Sequence, residues 1–350
     1  MSDAPARVDT PGSRWLWLDA VKGIGIIAVV FGHVVNGPEG RYVYLWHMPL
    51  FFFIAGYVFR PDPDLRRCLR DRALRLLLPY ALFMVLLSGH DLVATAQAGT
   101  LKDWALFAAT RVSGGKSVYG WLVAVWFMTC LFLTHLAVNA AMVRLRPRSV
   151  AVLMCASLLL AYANAQWLPR MWLPWAANVC LFAAPIFYLG HCYRRHESSF
   201  SPRQLALVAT LALLGLVLAG AQLIAVPDMK NSHYGTPLLS LLFALCIGVA
   251  LMAGARRWLN QGAPARILAA VGAASLIIMF LHMAAQQLLR DHAGVQSPIA
   301  RIAFAIVLPM LVFNLLQRHA LTRALLLGST RDVDTLRGIV RAPVRQRDAT

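Results

Sequence analysis

The chain has 350 residues, of which 59% are hydrophobic and only 14% are charged, and its formal net charge is +18. A water-soluble fold of this length has too little interior to bury so much apolar surface, so the composition excludes a soluble globular protein. It predicts an all-α polytopic integral membrane protein. The positive charge alone would also fit a nucleic-acid-binding protein, but its distribution along the chain argues against that class.

Apolar runs long enough to cross a membrane follow one another along the chain. Lys and Arg are roughly threefold more frequent in one set of alternate connections than in the other, which is the positive-inside pattern. Both termini are therefore predicted to be cytoplasmic, with membrane lipids and not nucleic acid as partners. We expect about ten transmembrane helices, at residues 15–35, 42–59, 74–93, 119–142, 149–163, 172–192, 204–226, 236–254, 267–289 and 299–316.

Few segments lie outside these runs. The N-terminus, residues 1–14, is polar and no cleavage site follows the first apolar run, so we expect that run to remain as an anchor. The loop at 94–118 contains an amphipathic stretch, 101–112, and the basic tail, 317–350, has apolar positions at 323–340 that fit a surface helix. The six cysteines show neither a disulfide framework nor metal-ligand spacing.

Two ionisable side chains, Lys22 and His33, lie inside the first apolar run. Eleven residues of helix return almost to the starting direction, so both project from one face, about 16 Å apart along the axis. Asp19 lies on the same face, three residues before Lys22, and is placed to neutralise it. Because such side chains are costly inside a membrane, they usually mark a functional site. A snorkelling lysine and a packed histidine are the structural alternative.

Histidines are concentrated on the predicted outer side of the membrane. Histidine is the side chain best suited to proton transfer near neutral pH, so a cluster at one depth is what general acid/base catalysis needs. Asp91 and Asp228 are placed to orient these rings. Packing inside the protein is the structural alternative for each of these histidines. The six outer histidines are His33, His47, His90, His233, His282 and His292.

Several stretches resemble one known family, in the expected order. The stretch LDAVKGIGIIAVVFGH, residues 18–33, is similar to the signature of the membrane acyltransferase-3 family, a Lys or Arg followed by His after ten residues. WHMPLFFFIAGYVF, residues 46–59, resembles the second span of its fucose 4-O-acetylase-like and exopolysaccharide O-acetyltransferase branch. The resemblance assigns 15–316 to a transmembrane acyltransferase domain. Further similar blocks lie at 72–80, 125–132, 227–235 and 275–282.

The resemblance implies a multi-pass enzyme of the bacterial inner membrane. It would transfer an acyl group, typically acetyl from cytoplasmic acetyl-CoA, to a hydroxyl of a cell-surface or lipid-linked carbohydrate, without a metal. His33 would deprotonate the hydroxyl or carry the acetyl group, and Lys22 beside Asp19 would bind the donor or stabilise charge. Arg72 and Arg75 are candidates for the CoA phosphates, because guanidinium groups match phosphate geometry. The expected acceptor-binding residues are Trp46, His47, Trp126, Lys230, Asn231, Tyr234 and His282.

The sequence departs from the family pattern in two ways. No segment after the last span is expected to form the esterase-like domain that some members carry, and Lys22 stands where many relatives have arginine, which binds phosphate bidentately. The alternative function is a proton-coupled transporter or a lipid-linked sugar flippase, since transporters also use buried charges. The two halves of the sequence show no repeat of the kind typical of transporters. The acceptor sugar, the acyl group and a covalent acyl-histidine step are left open.

Overall fold

The computed structural model describes residues 15–35 and 37–338. The predicted N-terminal segment 1–14 and the end of the predicted tail, 339–350, lie outside the described residues. A short antiparallel hairpin, β1 (Pro227–Asp228) and β2 (His233–Tyr234), lies between two long helices. The helices are α1 (Leu16–Val34), α2 (Arg41–Tyr44), α3 (His47–Tyr57), α4 (Leu65–Arg72), α5 (Leu78–Leu87), α6 (Gly89–Ala98), α7 (Leu101–Ser113), α8 (Trp126–Arg144), α9 (Pro147–Trp167), α10 (Cys180–His196), α11 (Pro202–Gly220), α12 (Leu239–Trp258), α13 (Gly262–Ala273), α14 (Ser275–Asp291), α15 (Pro298–Leu316), α16 (Ala320–Leu326) and α17 (Thr330–Leu336).

The polytopic helical architecture predicted from composition is confirmed. Within the described residues, seven helices are long and apolar enough to cross a membrane, and nine if each of two bent helix pairs counts as one span. The predicted run at 42–59 contains the 11-residue helix α3, which is only about 16 Å long and therefore shorter than a bilayer. The seven are α1, α8, α9, α10, α11, α12 and α15. Where a short helical turn adjoins one of these helices, it counts as part of the same span.

One bent pair is the helix Leu65–Leu87, which contains α4 and α5, with Asp91–Gln97 of α6, at an angle of 48°, and the other is α13 with α14. Helices α13 and α14 are separated only by Ala274 and meet at an angle of 73°. Between α4 and α5, the backbone forms a π-helical turn at Ala73–Leu77, directly before Pro79 in the first turn of α5. A proline there has no N–H to donate and fits the beginning of a helix, so the widened turn accommodates it. This irregular segment carries Arg75.

Glycines let the central helices approach closely. A Cβ added to Gly23 of α1 would lie 2.1 Å from the carbonyl oxygen of Leu268, and one added to Gly272 of α13 would lie 1.8 Å from that of Asp19. Neither position has room for any side chain. Small residues of this kind bring helix backbones into direct contact inside membranes. The first helix is thereby held tightly against α13 at the level of Asp19.

The segment after α15 differs from the single surface helix predicted at 323–340. It forms two short helices, α16 and α17, in which Val333 and Asp334 are buried. Asp334 forms an ion pair with Arg70 of α4, and Asp332 pairs with Arg323 at 2.8 Å. Because these carboxylates have arginine partners, the segment folds back onto the protein and is not a solvated anchor. The amphipathic stretch at 101–112 corresponds to α7.

Candidate active site

A cavity of about 320 Å³ lies at the His33 end of α1. His33 is in the last turn of α1, and His47 begins α3, which approaches from the opposite direction. The first residue of α8, Trp126, forms part of the wall. The hairpin loop contributes Lys230 and Asn231, so the cavity contains His33 and four of the seven expected acceptor-binding residues. We call this the His33 cavity.

The histidine rings around this cavity have defined hydrogen bonds. His47 Nδ1 lies 2.7 Å from the carbonyl oxygen of Val43, and His282 Nδ1 lies 2.8 Å from that of Ile278. Since a carbonyl oxygen only accepts, Nδ1 carries a proton in both rings and donates it. The His282 ring is fully buried, and its Nε2 has no hydrogen-bond partner among the described residues. Its ring centroid lies 5.2 Å from that of His33.

Lys230 is the one Lys or Arg among the described residues that line the His33 cavity. Its Nζ donates to the carbonyl oxygen of Val118 at 2.6 Å and lies 4.5 Å from the ring centroid of Tyr119. Burial lowers the pKa of Lys230 to about 8, because a charged ammonium loses hydration there. Next to it, the Asn231 amide donates to the Asp228 carboxylate at 2.7 Å. The loop therefore presents a cation and an oriented polar group.

A second cavity, of about 210 Å³, lies at the other end of the same helix face. It contains Lys22, whose ammonium lies 2.5 Å from the Asp19 carboxylate. The predicted ion pair is present, with Asp19 buried and Lys22 about one-third exposed. The other residues around this Lys22 cavity are almost all apolar, among them Phe51 and Phe127. Lys22 and His33 thus face separate chambers.

The barrier between the two cavities is thin. On α3, Met48 borders the His33 cavity and Phe51 the Lys22 cavity, so about 4.5 Å of helix separates them. On α8, Trp126 borders the His33 cavity and the next residue, Phe127, borders the Lys22 cavity. Met279 of α14 borders the Lys22 cavity, and His282 beside His33 follows three residues later in the chain. About one helical turn, filled mainly by aromatic rings, divides the chambers.

Arg72 and Arg75 lie on the Lys22 side of this arrangement. Arg72 ends α4, and Arg75 lies in the π-helical turn, where its guanidinium donates to the Thr330 hydroxyl of α17 at 3.4 Å. Leu76, which follows Arg75 directly, lines the Lys22 cavity. Neither arginine lines the Lys22 cavity or the His33 cavity, although Arg75 is next in the chain to a residue of the former.

Three predicted acceptor-binding residues do not line the His33 cavity. Trp46 is buried just before α3 and is not part of the cavity wall. Tyr234 stacks on Phe182 with ring centroids 4.3 Å apart and lines a different groove, between α9 and the hairpin. His282 is likewise too deeply buried to line the cavity, although its ring is close to His33.

The two tyrosines of the cavity, Tyr44 and Tyr119, were not predicted from the sequence. Tyr44 packs edge-on against His47, with centroids 5.0 Å apart, and lies three residues before it. Tyr44 ends α2 and His47 begins α3, so the turn between the two helices, and not a helical repeat, brings their rings together. Tyr119 lies in an irregular segment with no periodicity to indicate its direction. Within the described residues, no group of three or more His, Cys, Asp or Glu side chains is arranged to hold a metal ion.

Comparison with known proteins assigns the chain to a family. The family model described as an acyltransferase domain, acyltransferase 3, matches residues 15–317. The chain belongs to this family. It is also similar to the nodulation protein NolL of Sinorhizobium fredii, with 33% identity over 97 residues, which cover 23% of this chain and 26% of that relative. No solved structure matches the chain. In this member of the acyltransferase 3 family, Lys22 and His33 face two separate chambers.

Proposed function

We propose that this acyltransferase moves an acetyl group from acetyl-CoA, bound on the cytoplasmic side, to a sugar hydroxyl on the other side of the bacterial inner membrane. The observation that carries the proposal is the pair of chambers on one face of α1. Lys22 borders one and His33 the other. A donor and an acceptor that arrive from opposite sides need two such openings and a short path between them.

The Lys22 cavity fits the donor. Its apolar wall suits the narrow pantetheine arm and the acetyl thioester, and Lys22 offers a positive charge beside Asp19. Arg72 and Arg75, in the turns that lead to Leu76 of this cavity, suit the phosphate groups of CoA, because guanidinium binds phosphate oxygens with two parallel hydrogen bonds. This assignment places the Lys22 end of α1 in the cytoplasm, as the positive-inside pattern predicts.

The His33 cavity fits the acceptor hydroxyl. The imidazole of His33 accepts the proton of that hydroxyl, and the sugar oxygen forms a bond to the thioester carbonyl carbon. The carbon–sulfur bond then breaks, and the departing thiolate takes the proton from His33 to leave as CoA. Protonated Lys230 supplies positive charge for the carbonyl oxygen, which becomes negative in the intermediate, or for the acceptor itself. The cavity residues His47, Trp126 and Asn231 hold the sugar.

The thin barrier fits the need for the reacting atoms to meet. Lys22 and His33 are about 16 Å apart along α1, a distance over which neither side chain reaches the other. Only about one helical turn at Phe51 and Phe127 separates the chambers. The thioester end of the donor therefore has a short distance to cover. Near-contact of the nucleophile and the carbonyl carbon is what makes such a transfer fast.

Mass spectrometry of surface glycans tests this function. Bacteria lacking the chain should lose an acetyl group from one glycan, and the wild-type chain should restore it. The His33→Ala variant should be inserted at normal levels and restore nothing, since it lacks the base. His292→Ala is the matched control, because His292 is exposed and outside the cavity. Full acetylation by His33→Ala would overturn the assignment of His33 as the base.

A further inference from the structure

A second open cleft adjoins the His33 cavity. It has a volume of about 550 Å³ and lies between α6 and α7, in the segment that precedes α8. Tyr119 lines both the cleft and the His33 cavity, so the two adjoin at this residue. Tyr119 is 65% exposed, and a Cβ added to the neighbouring Gly120 would meet nothing within 4 Å. The surface at Tyr119 and Gly120 is therefore open.

The cleft is lined by the groups that recognise sugars. Arg111 forms an ion pair with Asp91, donates to the Thr110 hydroxyl at 3.0 Å, and stacks over the Phe107 ring at 4.4 Å. These contacts hold the guanidinium and the carboxylate in fixed positions. Vicinal hydroxyls of a sugar donate to carboxylates and accept from guanidinium groups, and the C–H faces of the ring pack on aromatic side chains. Asp103 lies across the same cleft.

We propose that this cleft binds the sugar residues of a glycan that flank the one being acylated, so that the acceptor is an extended chain and not a single sugar. This inference rests on the proposed function and adds a substrate class to it. The acylated residue occupies the His33 cavity, and the neighbouring residues run past Tyr119 toward Arg111. The cleft size falls within the range of about 300–1,000 Å³ typical of ligand sites. Contacts remote from the reacting group hold the acceptor hydroxyl at His33.

A cleft-filling substitution separates this proposal from a general loss of structure. Ala94 is an exposed alanine of α6 that lines the cleft, and Leu106 lines it from α7. The Ala94→Trp and Leu106→Trp variants place an indole in the path of the glycan without removing any polar contact. Ala96 and Ala105 are exposed on the same two helices outside the cleft, so Ala96→Trp and Ala105→Trp are the matched controls.

The assay uses labelled acetyl-CoA and the full chain in lipid nanodiscs. The acceptors are fragments of the host's own surface polysaccharide, freed of acetyl groups, partly hydrolysed and separated by length into single sugars and longer chains. For the wild-type chain, kcat/KM should rise with fragment length. With Ala94→Trp or Leu106→Trp, kcat/KM for the longer fragments should fall about tenfold while that for single sugars stays unchanged. Both control variants should behave as the wild type.

The outcomes distinguish failure of the cleft assignment from failure of the proposed function. If the wild-type chain transfers acetyl to fragments of every length equally well, or if the cleft-filling variants reduce transfer to single sugars and long chains alike, the cleft is not a glycan subsite and the proposed function stands. If the wild-type chain transfers acetyl to none of the fragments, the proposed function fails for this glycan and the cleft assignment fails with it.

Discussion

The imidazole rings of His33 on α1 and His282 on α14 lie 5.2 Å apart between centroids, with an angle of 41° between their planes. His282 is the more buried of the two, and its Nδ1 proton is committed to backbone carbonyls of its own helix. The lone pair on its Nε2 is therefore the free polar group of that ring. We expect His282 to act as a positioning residue for His33.

Substitutions of His282 with the two side-chain amides test this role. An asparagine amide reproduces the Nδ1 donor and lacks the Nε2 group, whereas a glutamine amide reaches the Nε2 position. We expect His282→Asn to lower kcat about 100-fold at a normal protein level, and His282→Gln to retain more activity. Acetyl transfer from labelled acetyl-CoA measures both. Equal activity of the two variants, close to that of the wild type, would show that the ring only fills space.

The Lys22–Asp19 ion pair predicts an order of activity among variants of Lys22. Lys22→Arg should keep part of the activity, because the charge remains, and Lys22→Met should lose tenfold or more, about 1.4 kcal/mol or greater. Lys22→Met also removes the ammonium 2.5 Å from a buried carboxylate, which destabilises the span and imitates a catalytic defect.

A double variant separates these two effects. Asp19→Asn combined with Lys22→Met removes both charges, so the electrostatic cost of the single change is relieved. Protein level and melting temperature should then recover toward the wild type while transfer stays low. Recovery of acetyl transfer in the double variant would mean that Lys22 serves only as the counter-ion of Asp19.

Lys230 predicts a pH dependence. Its pKa is lowered to about 8 by burial, so it loses its positive charge as the pH rises through that value. Transfer that needs the cation should be at its full rate below the pKa and decline above it. Lys230→Arg should hold its rate to a higher pH, since a guanidinium stays protonated. Initial rates between about pH 7 and 10, corrected for thioester hydrolysis without enzyme, measure this. Lys102→Arg is the control, and a flat wild-type profile would contradict the assignment.

The proposed orientation predicts the results of reporter fusions. Green fluorescent protein fused after Arg67 or Arg195 should fluoresce, because those connections belong to the alternate set that is richer in Lys and Arg and is predicted to be cytoplasmic. Alkaline phosphatase fused after Asn231 or Gly294 should be active, since those loops belong to the opposite set. An inverted pattern would put the His33 cavity on the side of the CoA pool and reverse the assignment of the two chambers.

The sequence predicts those parts of the site that depend on one helix. Lys22 and His33 share a face of α1 because eleven residues make nearly whole turns, and the Asp19 pairing follows from the same periodicity. The meeting of His33 with His47 and Lys230 needs three elements to pack together, so the sequence indicates only a common side of the membrane. The polytopic class likewise follows from composition, whereas the number of spans does not.

Other features depend on contacts that no local pattern records. Tyr234 is held by its stack on Phe182 of α10, so an aromatic in the predicted acceptor loop points away from the His33 cavity. The apolar run at 42–59 has the composition of a span, yet α3 is only 11 residues long because the backbone turns at Trp46 before it begins. Tyr119 projects from turns in which Gly114, Gly115 and Gly120 have positive φ values.

The aromatic barrier between the chambers has a consequence for the cell's energy supply. A protein that opens toward both faces of an energised membrane is a potential leak for protons and ions. Phe51 and Phe127, with ring centroids 5.9 Å apart, close the path with groups that neither hydrate nor bind an ion. Narrow hydrophobic constrictions exclude water and so block ion flow. If the two chambers open toward opposite faces of the membrane as proposed, the same rings that leave a thioester little distance to travel also keep the membrane electrically sealed between reactions.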